Sequence, residues 1–336
     1  MQADRILDTI DTHTAGEPTR LIISPLPFGT LSGTVASKRD QFAADYDEVR
    51  TFLLGEPRGH RNMFGAVSVE PTDPRADCGL FFMDSDGYLD MCGHGTIGAV
   101  TALIETGLLP YEPGDGSLVV ETPAGLVTTE PVLVDGSVEQ VTIENIYSSY
   151  YDRVEIEIDA LGHVPVDIVY AGNFFAMVDA DRIGVDLERE PIEALTEYGL
   201  AIRRRVNETT TVSNPVTGRD ERVDLTEFYQ SGEDVDRNVT VFGSGQIDRS
   251  PCGTGTCAKM TLLKHRGSLD DDEPYVHESI IGTRFEGRIV GTESVDGVEM
   301  NDACVAARAY ITGKHTFLRH PDDPIGGFDV STAGKR

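Results

Sequence analysis

The chain repeats itself once, so any fold it adopts must accommodate two copies of one unit. Met91-Cys-Gly-His-Gly-Thr-Ile-Gly98 and Pro251-Cys-Gly-Thr-Gly-Thr-Cys-Ala258 both read Cys-Gly-x-Gly-Thr, and Cys92 and Cys252 stand 160 residues apart. Downstream, Ile97, Val100 and Leu103 match Cys257, Met260 and Leu263 at helical i, i+3 spacing. Gly107 and Gly267 then offer C-caps at the same offset. Each copy is therefore expected to open a helix just after a cysteine-glycine turn. Weaker echoes keep the same order: Asp11–Gly16 against Asp167–Gly172, and Glu121–Gly125 against Glu278–Gly282.

Around these helices the sequence reads as strands, at Leu21–Ser24, Gly79–Met83, Leu118–Glu121, Val138–Ile143, Val154–Ile158, Phe174–Val178, Val239–Phe242 and Ala303–Ile311. A further helix is predicted over Asp186–Asn207, and the tail after Gly313 reads as extended or irregular. The expected fold class is α+β: two pseudo-symmetric lobes, each a β-rich sheet wrapped around a central helix, with the active site between the lobes. We place the first lobe at 1–150, carrying Cys92, and the second at 151–313, carrying Cys252; the tail 314–336 is expected to return to the first.

Composition narrows the function. Asp and Glu number 57 against 28 Lys and Arg, a net charge of −29. Such a surface repels nucleic acid and anionic membranes, having no basic stripe to neutralise phosphate. The acids are dispersed along the chain, which suits a folded protein in a salt-rich cytoplasm, where a short Debye length makes their repulsion tolerable. The opening segment is acidic where a leader would be apolar, and no window approaches a membrane span, so a cytoplasmic protein is expected. The five cysteines lack CxxC spacing and read as free thiols, without a disulfide framework or a zinc site.

A cysteine at a helix N-terminus sits where the dipole favours thiolate, which can draw its pKa below the free value of about 8.5. The glycines let backbone N–H groups approach an anion such as a carboxylate. Two such ends could hold one carboxylate and present a sulfur to each side. Inverting a stereocentre needs that arrangement: a base on one face, an acid on the other, and roles that exchange in the reverse direction. This chemistry calls for no metal and no organic cofactor. Cys257 occupies the slot of Ile97 and reads as core, as do Cys78 and Cys304 in strand-like runs.

Other chemistries fit less well. Gly93-x-Gly95-x-x-Gly98 and Gly253-x-Gly255-x-x-Ala258 match the dinucleotide fingerprint, with Glu121 ending a strand downstream, but that reading leaves the paired cysteines unexplained and no parallel βαβ series is evident. A Walker A loop fails at Ala258 and Met260.

The segments Asp11-Thr-His-Thr-Ala-Gly-Glu-Pro-Thr-Arg20, Pro57-Arg-Gly-His60, Met91–Thr96, Ala171-Gly-Asn-Phe-Phe175 and Asp248-Arg-Ser-Pro-Cys-Gly-Thr-Gly-Thr256 resemble the proline racemase family from about residue 8 to 313. The resemblance implies a two-lobed fold like that of diaminopimelate epimerase, no cofactor, and homodimers with an independent site in each subunit. Its members are proline racemases, 4-hydroxyproline 2-epimerases and trans-3-hydroxyproline dehydratases. The dehydratases typically carry threonine at the second cysteine, so Cys252 argues against dehydration. By the same resemblance Cys92 and Cys252 are the catalytic pair. The amides of Gly93, His94, Gly253 and Thr254 hold the substrate carboxylate, and Asp248, otherwise an ordinary loop or capping residue, accepts from the ring nitrogen.

Phe64 and Phe242 fall where aromatic residues flank the ring in family racemases, although phenylalanines beside strands also belong to cores. An apolar wall there favours proline over hydroxyproline. His13 reads as a hydrogen-bonded structural residue, Asn173 as a turn residue; His60 and Asn62 stay undecided. The sequence thus points to interconversion of L- and D-proline, with 4-hydroxyproline epimerisation as the alternative and a catalytically silent imino-acid-binding protein behind both.

Overall fold

The computed structural model describes residues 5–23, 31–144, 147–232 and 235–329. Ser24 of the first predicted strand, positions 145 and 146 shortly before the expected lobe boundary at 150, and 330–336 of the tail lie outside the described residues. Described residues within Met1–Val141 and Arg308–Arg336 form one compact unit, and those within Thr142–Ala307 another.

In the first unit, strand Arg5–Thr14 pairs antiparallel with Glu17–Ile22 and with Ala309–Arg319. Glu17–Ile22 runs parallel to Gly65–Val69, which is antiparallel to Cys78–Met83. Cys78–Met83 is in turn parallel to Leu118–Thr122, which forms a hairpin with Gly125–Val134. Helices α1 (Val35–Asp45) and α2 (Asp47–Leu54) pack over one side of this sheet, burying Phe42, Phe52 and Leu53 with Val67 and Phe81. Helix α3 (Gly93–Glu105) packs on Arg5–Thr14, Glu17–Ile22 and Ala309–Arg319. No charged residue interrupts α3 before Glu105, and it is buried from Gly93 to Ile104, as expected of a helix apolar on all sides.

The second unit repeats this order. Gly162–Ala171 forms a hairpin with Phe174–Asp179, which runs parallel to Val223–Gln230. That strand is antiparallel to Asp236–Phe242, itself parallel to Tyr275–Glu278, which pairs with Arg284–Val295. Val298–Ala307 follows and meets Ser148–Ile158 at Asn301 and Ser148, and Ser148–Ile158 pairs back onto Gly162–Ala171. The strands thus close into a ring. After α4 (Ile192–Thr209), helix α5 (Gly253–His265) lies against five of those strands, buried from Gly253 to Leu262.

Each sequence echo falls on an equivalent turn. Gly16 at φ +100° and Gly172 at φ +85° turn matching hairpins, with Asn173 in the second, and Gly125 and Gly282 also hold positive φ after equivalent strands. Both central helices end in a Schellman arrangement: Gly107 and Gly267 sit at φ near +70°, and the next residue donates to Leu103 O and Leu263 O.

Two placements are corrected. Helix α4 begins at Ile192, not Asp186, because Pro191 supplies the N-cap position and the segment before it forms turns. The run Ala303–Ile311 belongs to two strands, Val298–Ala307 and Ala309–Arg319, parted at Arg308. The tail after Gly313 is extended to Arg319, where it pairs with Arg5–Thr14, and irregular beyond, as expected.

Candidate functional site

Cysteine caps both central helices. In α3 the N-cap is Cys92, whose Sγ accepts from the N–H of Gly95 at 3.3 Å. In α5 it is Cys252, whose Sγ accepts from the N–H of Gly255 at 3.4 Å. A sulfur thus takes the place that Ser, Thr, Asp or Asn oxygen fills in most helices. The threonine of the motif fixes the turn: the N–H groups of Thr96 and Thr256 donate to Cys92 O and Cys252 O, and Thr96 Oγ1 donates again to Cys92 O at 2.7 Å. The first amides, those of Gly93 and His94 and of Gly253 and Thr254, are the ones a helix leaves without intrahelical partners, so each end can receive an anion.

The glycines are sterically required. A methyl group on Gly98 would come within 2.5 Å of Thr12 Oγ1. The residues of the Asp11–Arg20 signature lie beneath α3: Thr14 Oγ1 donates to His94 O at 2.9 Å, and His13 Nδ1 accepts from the Gly16 N–H at 3.2 Å, a structural bond. Asp11 holds the buried Arg20 through two nitrogens, and Arg20 also donates to Leu53 O and Arg58 O. These residues brace the hairpin against which the cysteine turn is built.

Within the first unit Phe64, Cys92, Gly93 and His94 come together. The His94 ring lies edge-on to Phe64, centroids 4.6 Å apart, with Nδ1 3.3 Å from Cys92 Sγ. Burial pulls the His94 imidazole down to about 3, so it is neutral at physiological pH. Within the second unit Asp248, Cys252, Gly253 and Thr254 are assembled. Asp248 Oδ1 accepts from the N–H and Oγ of Ser250, and Ser250 Oγ accepts from the Cys252 N–H. Phe242 ends its strand opposite Gln246, just before Asp248, and is buried.

The expectation that a helix end lowers the thiol pKa fails for Cys252. Burial, then the negative charges of Asp248 and Glu227, push that thiol well up, against the Gly255 N–H and the Thr254 hydroxyl. Asp248 is itself raised to about 6, chiefly by burial. Cys252 also holds φ +60°, sparsely populated by residues other than glycine and worth about 1–3 kcal/mol of strain. Cys92, at φ −151°, carries no such strain.

Sequence reasoning missed Ser250 and Glu227. Ser250 has a local signal, standing between Asp248 and Cys252. Glu227 has only one, a lone acid inside the apolar run Leu225–Tyr229. Glu121, a candidate ribose acid under the dinucleotide reading, instead accepts backbone N–H groups of Val35, Thr72 and Asp73 and ties a loop to the start of α1. All five cysteines are buried, and none is joined in a disulfide.

Comparison with known proteins gives the family. Residues 9–328 match the proline racemase family. A proline racemase from Clostridioides difficile is 39% identical over 329 residues, covering 97% of this chain and 98% of that protein. A 4-hydroxyproline 2-epimerase from Streptosporangium roseum is 38% identical, with 97% and 98% covered. The crystal structure of a hydroxyproline epimerase from Agrobacterium vitis, with bound trans-4-hydroxy-L-proline, superposes with a TM-score of 0.90 at 28% identity, covering 98% and 97% of the two chains. The α+β class implied by the sequence is the class observed. The chain belongs to the proline racemase family and is an isomerase of the racemase and epimerase type.

Proposed function

We propose that this isomerase interconverts L- and D-proline, with Cys92 and Cys252 exchanging the roles of base and acid on opposite faces of the α-carbon. The observation that carries the proposal is the duplicated cysteine N-cap, with each sulfur hydrogen-bonded to the second glycine of its motif. One thiolate removes the α-proton while the other thiol delivers one from the far side, so the proton count is unchanged and the sulfurs trade states. The amides of Gly93, His94, Gly253 and Thr254 stabilise the carboxylate as negative charge develops on it. Asp248 accepts from the ring nitrogen, and Phe64 and Phe242 exclude water from the ring. The family resemblance supports a homodimer.

Epimerisation of 4-hydroxyproline at Cα is a second reading, favoured by the trans-4-hydroxy-L-proline bound in the Agrobacterium vitis enzyme. Incubation in D₂O at high salt with each isomer of proline and 4-hydroxyproline tests both. Deuterium at Cα with loss of optical rotation is expected fastest for proline; preference for hydroxyproline would establish the alternative. Cys92→Ser and Cys252→Ser should each slow exchange by orders of magnitude, and exchange at the wild-type rate in both excludes the two-thiol mechanism.

A further inference from the structure

The two cysteine turns share a sulfur N-cap and the helix behind it, but not what packs against that helix end. A methyl group on Gly95 would lie 3.0 Å from the Phe82 ring and 3.2 Å from Cys92 Sγ. One on Gly255 would lie 2.0 Å from Glu227 Oε2 and 3.1 Å from Cys252 Sγ. The position that a Cβ would take is bounded by a phenyl ring and a sulfur in one unit, and by a carboxyl and a sulfur in the other. The strands behind the helices account for the difference: the cross-strand pair is Ala66 and Phe82 in the first unit, Glu227 and Thr240 in the second.

Glu227 is completely buried. Its Oε2 accepts from Thr240 Oγ1 at 3.2 Å, and Oε1 has no hydrogen-bond partner among the described residues. The charged groups facing it are Lys259 on α5 and Asp248 ahead of the cysteine turn. Lys259 is turned toward Asp236, Nζ to Oδ2 3.2 Å, over the ring of Tyr229, and His277 also faces it. A helix N-terminus supplies about half a positive charge, enough to favour one anion beside it. Two anions flanking one small gap in a dry site oppose each other strongly.

We propose, on the two-thiol mechanism above, that Glu227 is a positioning residue that makes the thiols inequivalent. Its carboxyl competes with Cys252 for the one negative charge that this end of α5 accepts, so as pH rises the carboxyl ionises ahead of the Cys252 thiol, which keeps its proton while the thiolate forms on Cys92. Titration supports the competition. Burial raises Glu227 to about 8 against the pull of Lys259, and Glu227 contributes to the raised Cys252 thiol. The two ionisations are therefore linked.

Timed iodoacetamide labelling of the substrate-free protein, read on the Cys92 and Cys252 peptides by mass spectrometry from neutral to alkaline pH, tests this. Cys92 and Cys252 are 7% and 6% exposed, so access does not separate them. In the wild type Cys92 should label at least roughly tenfold faster at neutral pH, one pKa unit being a tenfold change in thiolate. Glu227→Gln keeps the size and removes the charge: the Cys252 profile should shift to lower pH, with a gain of roughly tenfold in the alkaline range and no change at Cys92. Glu227→Asp, drawing the carboxyl back, should shift it partway and serves if Gln does not fold. Equal wild-type rates, or Cys252 profiles unmoved in the variants, overturn the proposal. Labelling needs no turnover, so that result leaves the two-thiol mechanism intact, whereas exchange surviving in both serine variants removes the mechanism itself.

Discussion

Nδ1 of His94 lies 3.3 Å from the sulfur of Cys92, on an imidazole that burial keeps neutral. The ring can thus hydrogen-bond the sulfur without adding a charge that titrates in the working range. Its counterpart in the second unit, Thr254, places a hydroxyl 3.7 Å from Cys252 Sγ. A hydrogen bond to a charged group is worth about 1.5–3 kcal/mol, so His94→Leu should slow α-proton exchange by roughly ten- to a hundredfold. His94→Asn, with an amide near the place of Nδ1, should recover part of the loss. With His94 titrating near 3, the wild-type pH–rate profile should show no limb assignable to it near the ordinary imidazole value of about 6.5. A limb there that disappears in His94→Asn would count against a neutral ring.

Gly98 and Ala258 occupy equivalent helical positions, and the first stands against a strand at close range. Its missing methyl would lie 2.5 Å from Thr12 Oγ1. Gly98→Ala should therefore destabilise the protein by about 1–3 kcal/mol through overpacking. Ala258→Gly should cost about 1 kcal/mol, the ordinary helix penalty. Urea denaturation of both variants gives the comparison, and a neutral Gly98→Ala would mean that α3 is free to shift from its hairpin.

The same pair of residues shows what a sequence can disclose. The helix starts at the two cysteines and the glycine C-caps are legible because each depends on a short local pattern, and the pattern occurs twice, whereas the bonds of Thr96 and Thr256 to the cysteine carbonyls emerge only in the structure. The start of α4 was misplaced because amphipathic spacing runs back through Leu187, whereas Pro191 sets the actual boundary. The break at Arg308 was hidden because the residues on either side are equally strand-like. Glu227 was hidden for another reason: a glutamate between Thr226 and Phe228 reads as the wet face of a strand, and only the packing of α5 makes that face dry. The raised Cys252 thiol follows from the same packing, so the local motif alone suggested the opposite direction.

The acidic surplus is expected to make stability depend on salt. A net charge of −29 repels itself in dilute buffer, where the Debye length is about 30 Å at 0.01 M, and far less near 1 M, where it is about 3 Å. If the dispersed acids are an adaptation to high salt, the melting temperature should rise steeply between those concentrations of KCl. Full stability in dilute buffer refutes the adaptation.

Glu227 should also leave a signature in stability against pH. Its carboxyl is raised from an ordinary value of 4.5 to about 8, mainly by burial. Between those values the unfolded chain has released this proton while the folded protein holds it, so the native state binds more protons and stability falls as pH rises. Below 4.5 both states hold the proton, and above about 8 both have lost it, so the slope from this group vanishes outside the window. The loss across the window is on the order of a few kcal/mol. Glu227→Gln has no proton to release there. The wild type should therefore lose stability relative to Glu227→Gln as urea denaturation is repeated from mildly acidic to mildly alkaline pH. Parallel curves for the two proteins would show that the carboxyl titrates normally in the fold, and with it would go the charge competition assigned to this residue.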